Sequence, residues 1–177
     1  MSIQDMIKIT NVSGHSHGLK IYQPMSGMYA ERNLKDKQYV LLTIEQFIDM
    51  YQRSKAFKRG YLHFDVNKLP EEAKMIIGVY EEEVDGKVVV DDKQFKEDLK
   101  LFMTDDEILS AIKGKMGDFN AFISKIKEVE KADAQGFYKR VINIAMNIED
   151  LNMNKAEKLE DAIGINFREN KKLLKES

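Results

Sequence analysis

Residues 83–102 read EVDGKVVVDDKQFKEDLKLF, and the periodicity of the chain changes inside this stretch, near Asp91. Before that point, short runs with alternating apolar residues are broken by Gly and Pro. Beyond it, apolar residues recur every three to four positions almost to the end. A period near two places alternate side chains on one face of a strand, and a period near 3.6 places them on one stripe of a helix. The stretch therefore predicts an α+β chain. A small antiparallel β-rich module with one or two short helices covers residues 1–90, and a helical bundle covers 91–164. Residues 165–177 read as a polar tail or docking arm.

Working outward, Asp85-Gly86 between β-forming residues is a strong hairpin signal. Upstream, Ile7 and Ile9 alternate with Lys8 and Thr10, and Leu19-Lys20-Ile21-Tyr22 alternates again. The two runs read as an antiparallel pair joined through the turn-rich Ser13–Gly18 linker. Tyr39–Leu42 and Tyr61–Val66 read as further strands. Thr43 with Gln46 three residues on is a capping box that opens a helix to Arg53. Pro70-Glu71-Glu72 starts a short helix that stops near Gly78. Downstream, Phe95, Leu99 and Phe102 face inward, and Thr104 with Glu107 forms a second capping box before Ile108, Leu109 and Ile112. Phe119, Phe122, Ile123, Ile126 and Val129 make one stripe; Phe137, Val141, Ile144, Ala145 and Ile148 make another. Leu159, Ala162 and Ile163 precede Gly164 as a helix stop. Helices under about fifteen residues are marginal alone, so these must pack together.

The 177 residues are 43% hydrophobic and 33% charged, with a net charge of −2, so no global attraction to nucleic acid or anionic membrane is expected. Residues 1–90 carry 12 basic and 12 acidic side chains and residues 91–177 carry 16 and 18, so neither half is basic. Cysteine is absent, which removes disulfides, thiolate nucleophiles and Cys-ligated zinc, and fits a reducing compartment. No run reaches the roughly 18–20 apolar residues that span a bilayer, and MSIQDMIKIT is not a secretory signal pattern.

The chemistry-bearing patterns are sparse, and no enzyme activity is expected. His15-x-His17 with His63-x-Asp65 is the one metal-like set, but its spacing is unspecific and reads as a polar turn plus an outward strand His; no metal or cofactor is expected. The carboxylate pairs Glu71-Glu72, Asp91-Asp92 and Asp105-Asp106-Glu107 all fall at helix starts, where they stabilise the dipole. No G-x-S-x-G, G-x-x-x-x-G-K or G-x-G-x-x-G occurs. Arg53, Lys55, Lys58 and Arg59 surround Phe57 in a basic cluster. It could touch a phosphate backbone with Phe57 stacked on a base, or it is a helix end with Phe57 covering the core. Tyr22, Met25, Met28, Tyr29 and Arg32 lie in what reads as an irregular segment; they have the composition of a contact surface, or they form an ordinary loop that packs on its own sheet. Phe167, Leu173 and Leu174 are apolar residues in the charged tail, placed to dock on a neighbour.

Two sets of stretches carry a resemblance. The first is IKITNVSGHSHGLKIYQP, then Glu31-Arg32, LLTIEQFIDMY and Gly60-Tyr61-Leu62. The second is MTDDEILSAIKGKMGDFNAFISKI, then FYKRVINIAMNI and MNKAEKLEDAIGI. In this order, with these turns, the chain resembles a group of tailed-bacteriophage virion proteins, small accessory components of head, neck or tail. The resemblance implies a structural or adaptor role through protein–protein contacts, with other virion proteins as partners, several copies in a symmetric assembly, and no catalytic residues. It also implies synthesis in the host cytoplasm and residence in the virion; the charge balance and the lack of a long apolar run separately give the expectation of no membrane partner and disfavour nucleic acid. The alternative reading is a nucleic-acid-binding regulatory protein that uses the Arg53–Arg59 cluster.

Overall fold

Backbone pairing divides the chain into pieces that each bury their own apolar residues. The computed structural model describes residues 6–166. The fold is α+β, with antiparallel strands in the N-terminal part and most helices in the C-terminal part. It splits into two compact units, one ending at Phe102 and one starting at Met103.

In the first unit, β1 (Ile7–Asn11) is the central strand of a three-stranded sheet. It lies between β4 (Tyr39–Leu42) and β5 (Leu62–His63), antiparallel to both. Ile7, Ile9, Val40, Leu42 and Leu62 are buried, as the period of two requires. The expected β1–β2 pair does not form: β2 (His17–Gln23) pairs with β3 (Met28–Leu34) across a four-residue turn that ends at Gly27, φ 66°. The linker from β1 to β2 is only one residue longer than this turn, so loop length does not decide the pairing; β4 and β5 bring the buried Val40, Leu42 and Leu62 to β1 instead. The segment around Met28 and Tyr29, expected to be irregular, is therefore a regular strand. It escaped the period-two reading because only Leu34 in β3 is buried.

Between β4 and β5, α1 (Ile44–Arg53) starts at the expected capping box. The Thr43 hydroxyl accepts from the Gln46 N–H, and the Gln46 side chain accepts from the Thr43 N–H. α2 (Glu71–Ile76) follows Pro70 and stops before Gly78, φ 81°. The hairpin β6 (Tyr80–Val84) and β7 (Lys87–Asp91) turns on Asp85 (φ 52°) and Gly86 (φ 72°), the left-handed pair that an Asp-Gly turn supplies. Next, α3 (Lys93–Asp98) carries Phe95 into the core of this first unit, with Leu99 beside it. The unit thus runs past the periodicity switch at 91. Phe95 and Phe102 close an aromatic cluster: Phe64 sits 4.7 Å from Phe102 and 5.0 Å from Phe47 between ring centroids, and Phe57 is 5.5 Å from Phe64. Most of these contacts are edge-on or tilted, the favoured geometry of ring quadrupoles.

The second unit holds α4 (Asp105–Lys113), α5 (Met116–Lys127), α6 (Lys131–Met146) and α7 (Met153–Ile163). Helix α4 packs on α5 and α6, and α5 on α7. The stripes read from the sequence are the core: Ile108, Ile112, Phe119, Phe122, Phe137, Val141, Leu159 and Ile163 are all buried. Thr104 and Glu107 form the second capping box, and Gly164 ends α7 in the left-handed conformation. Two buried cations serve helix ends. Arg140 donates to Asp105 Oδ1 and to the Met103 carbonyl at 2.9 Å each. Lys155 donates to the Ile112 and Gly114 carbonyls at 2.7 and 2.6 Å, where α4 leaves its last acceptors unpaired. Among the described residues no helix is long and apolar enough to cross a membrane.

Candidate interaction surface

The β2–β3 hairpin is braced against α1 by three side chains one helical turn or less apart. Gln46 closes its capping box and also donates from Nε2 to the Tyr22 carbonyl at 2.9 Å. Asp49 accepts from the Tyr29 hydroxyl at 3.0 Å and from Arg53 at 2.9 Å. Arg53 donates to the Lys20 carbonyl at 2.7 Å and sits 4.5 Å over the Tyr29 ring. Spacing of three and four residues puts Gln46, Asp49 and Arg53 along one side of the helix.

This bracing fixes where the residues expected to make contacts stand. Met25 is fully exposed in the turn, Met28 is 66% exposed and Tyr29 45%. Tyr22 lies opposite Tyr29, with ring centroids 5.7 Å apart. Arg32 lies opposite Leu19, and Met28 opposite Gln23. Residues directly opposite share a face and neighbours alternate. Tyr22 and Tyr29 are thus on one face, Met28 and Arg32 on the other, and Met25 at the tip between them. The five form a protruding ridge with two sides. Phe167, Leu173 and Leu174 lie outside the described residues.

The basic cluster is partly gathered. Arg53, Lys55 and Arg59 line an open cleft of about 340 Å³ together with His17, Lys20 and Tyr61, and no carboxylate is among its lining residues. Lys58 is exposed and does not line it. Burial lowers the His17 pKa, and the neighbouring His15 and Arg59 lower it further, so His17 stays neutral at pH 7. Phe57 is 1% exposed and packs on Phe47, Tyr51 and Phe64, so it cannot stack on a base; it covers the core. His17 and Lys20 come to the cleft from β2 and Tyr61 from the residue before β5, which no local sequence pattern could signal.

The histidines do not converge. His15 and His17 each meet the Tyr61 ring edge-on, at 5.6 and 5.5 Å, while His63 stacks on Phe102 at 4.5 Å. Among the described residues no group of three or more His, Cys, Asp or Glu could hold a metal ion. Glu71 and Glu72 lie in the first turn of α2, and several of the other carboxylates have structural partners. Glu107 caps α4, Asp105 receives Arg140, Asp92 pairs with Lys96 at 2.9 Å, and Asp91 accepts from the Lys93 N–H.

One polar side chain with a large structural role has no sequence signature. Asn11 is fully buried at the end of β1. Its Nδ2 donates to the His15 and Leu34 carbonyls at 2.7 and 2.9 Å, and its Oδ1 accepts from the Ser13 N–H and hydroxyl at 3.0 and 2.7 Å. It ties the central sheet to the β2–β3 hairpin and so sets the base of the ridge.

In comparison with known proteins, no family model matches this chain, and no curated protein or solved structure matches it.

Proposed function

We propose that this chain is a structural or adaptor component of a tailed-bacteriophage particle, acting by contact with other virion proteins in several copies. The observation that carries the reading is the ridge of β2–β3, where Met25 and Met28 are exposed on a hairpin anchored to α1 through Gln46, Asp49 and Arg53, with Tyr29 half-exposed at the anchor itself. Tyr, Met and Arg are the residue types enriched at the centres of protein interfaces. An anchored hairpin presents them without the ordering cost of a loose loop. The resemblance of the two sequence stretches to virion accessory proteins supplies the setting. The test is quantitative mass spectrometry of gradient-purified particles from cells producing the phage. The reading expects the chain at a fixed ratio to the major structural proteins, and a lower ratio when Met25→Lys/Met28→Glu replaces the wild type. A chain that stays wholly in the particle-free fraction refutes it.

A second reading is favoured by the cleft: Lys20, Arg53, Lys55 and Arg59 line it and no acid does, with Arg53 already paired to Asp49 from outside the lining. Such a site suits a phosphate backbone and predicts oligonucleotide binding that weakens steeply with salt. Fluorescence anisotropy with a labelled oligonucleotide decides it, since no binding at low salt removes this alternative.

A further inference from the structure

Among the described residues the β6–β7 hairpin is a two-stranded sheet with no third strand, and every residue of both strands is exposed. An isolated two-stranded hairpin is marginal in water, and its free edges are templates for another strand. The two edges here differ in kind. The β6 edge carries Glu81-Glu82-Glu83, and Glu81 is held by Lys74. The β7 edge carries Lys87-Val88-Val89-Val90-Asp91, with Val88 67% exposed and Val89 and Val90 51% each.

From this edge we infer that β7 pairs antiparallel with β7 of a second copy of the chain, on a two-fold axis through Val89. The order Lys-Val-Val-Val-Asp is complementary to its own reverse. In that register Lys87 faces Asp91 of the other copy, Val88 faces Val90, and Val89 faces Val89. Both charge pairs are opposite in sign and all apolar residues meet apolar residues. A parallel arrangement would set Lys on Lys and Asp on Asp. Self-pairing of β6 would set Glu81 on Glu83 and Glu82 on Glu82, and like charges directly opposite are destabilising. The acidic strand thus closes one edge of the hairpin and leaves the other for the second copy.

The backbone agrees with this register. An Asp-Gly two-residue turn closes on a hydrogen-bonded pair, here Val84 and Lys87. The alternation of an antiparallel ladder then directs the peptide groups of Lys87, Val89 and Asp91 towards β6 and those of Val88 and Val90 outwards. Val88 of one copy and Val90 of the other are the residues placed opposite each other, so both outward sets of N–H and C=O groups find partners. The product is a four-stranded sheet with the glutamate strands outermost, a closed isologous contact. A pair of five-residue edges buries less than the roughly 1,200 Å² of a standard stable interface, so the association is reversible and concentration-dependent. The inference stands on the hairpin alone and needs no virion role.

The test is sedimentation velocity of the purified chain over a concentration series, with the fold of each variant checked by circular dichroism. The wild type shifts from monomer to dimer as concentration rises. Val89→Lys sets two cations on the axis and keeps the chain monomeric. Lys87→Asp and Asp91→Lys each weaken association about tenfold or more when alone, because two like-charge pairs replace two opposite ones. An equimolar mixture of these two variants recovers the dimer, since every carboxylate then faces an ammonium. A chain that is monomeric throughout, as it would be if β7 accepts only a strand from a different protein, overturns the inference. So does a dimer indifferent to Val89→Lys, or a mixture that fails to recover association.

Discussion

Replacing Asn11 by Asp changes one side-chain group in a fully buried, four-bonded polar site of the first unit, and the structure dictates a pH-dependent penalty. The carboxyl keeps the acceptor for Ser13 but removes both donors of Nδ2. The single Ser13 hydroxyl proton can go either to the introduced carboxyl or to the His15 carbonyl, 3.0 Å away, but not to both. The Leu34 carbonyl, which Asn11 reaches at 2.9 Å, loses that side-chain donor. An unsatisfied buried acceptor costs about 1–3 kcal/mol. A protonated carboxyl can donate one bond and holds the penalty near that range. An ionised one is an unpaired charge at a position with no exposure, which costs about 3–5 kcal/mol. Burial and facing carbonyls both raise the pKa of the introduced acid above its unfolded value of about 3.9. Below that value both states are protonated and only the hydrogen-bond loss remains. As pH rises, the unfolded state releases its proton first, and stability falls until the folded pKa is passed. The variant is therefore much weaker relative to wild type at pH 7 than near pH 4, and Asn11→Ala shows a loss that does not vary with pH. Urea unfolding followed by near-ultraviolet circular dichroism reads this, because the chain has no Trp and six of its seven Tyr lie at or before Tyr80. A penalty equal at the two pH values, or larger at the acidic one, refutes the account.

Other consequences can be checked with less work. Asp105→Ala removes two bonds from the buried Arg140 guanidinium and should destabilise the second unit by about 1.5–3 kcal/mol, read by thermal denaturation; a change under 0.5 kcal/mol contradicts the role given to the pair. Burial, assisted by Asp98, raises the Tyr51 pKa to about 12. The neutral form is favoured by folding, so this contribution is intact below pH 10 and is lost as pH rises from 10 to 12. Wild type should lose more stability in that window than Tyr51→Phe, and identical alkaline profiles would contradict it. Deletion of residues 165–177 removes nothing before the Gly164 cap, whose N–H donates to the Glu160 carbonyl at 2.7 Å. If the proposed virion role and docking arm hold, the truncated chain keeps its circular dichroism spectrum but enters particles at reduced copy number; an unchanged copy number ends the docking-arm reading.

What was legible in the sequence was local. Both capping boxes, the Asp85-Gly86 turn, the Gly164 stop and the helical stripes each depend on residues within a few positions of one another, and each is present. Long-range choices were not legible. β1 chooses β4 and β5 over its neighbour β2 because its flanking strands bring Val40, Leu42 and Leu62 to the same face. β3 is hidden because an exposed edge strand needs no apolar alternation. The period of α3 says helix, but whether Phe95 joins the first or second core is decided by the rings already waiting at Phe64. For the candidate surface, Met25, Met28 and Tyr29 could be picked by type, while their division between two faces required the register. The run Arg53–Arg59 shows a basic cluster, yet Lys20 and His17 join it only through folding, and Phe57 leaves it for the core. Asn11 looked like any polar residue at a strand end.

The position of α3 has a practical consequence for anyone who wants to transplant the first unit. A gene fragment cut at the change of periodicity would strip Phe95 and Phe102 from Phe64 and leave a wet aromatic wound. One carried through Phe102 keeps the ring stack sealed. The portable piece is therefore longer than its strand pattern suggests, and its last helix is a lid rather than a linker.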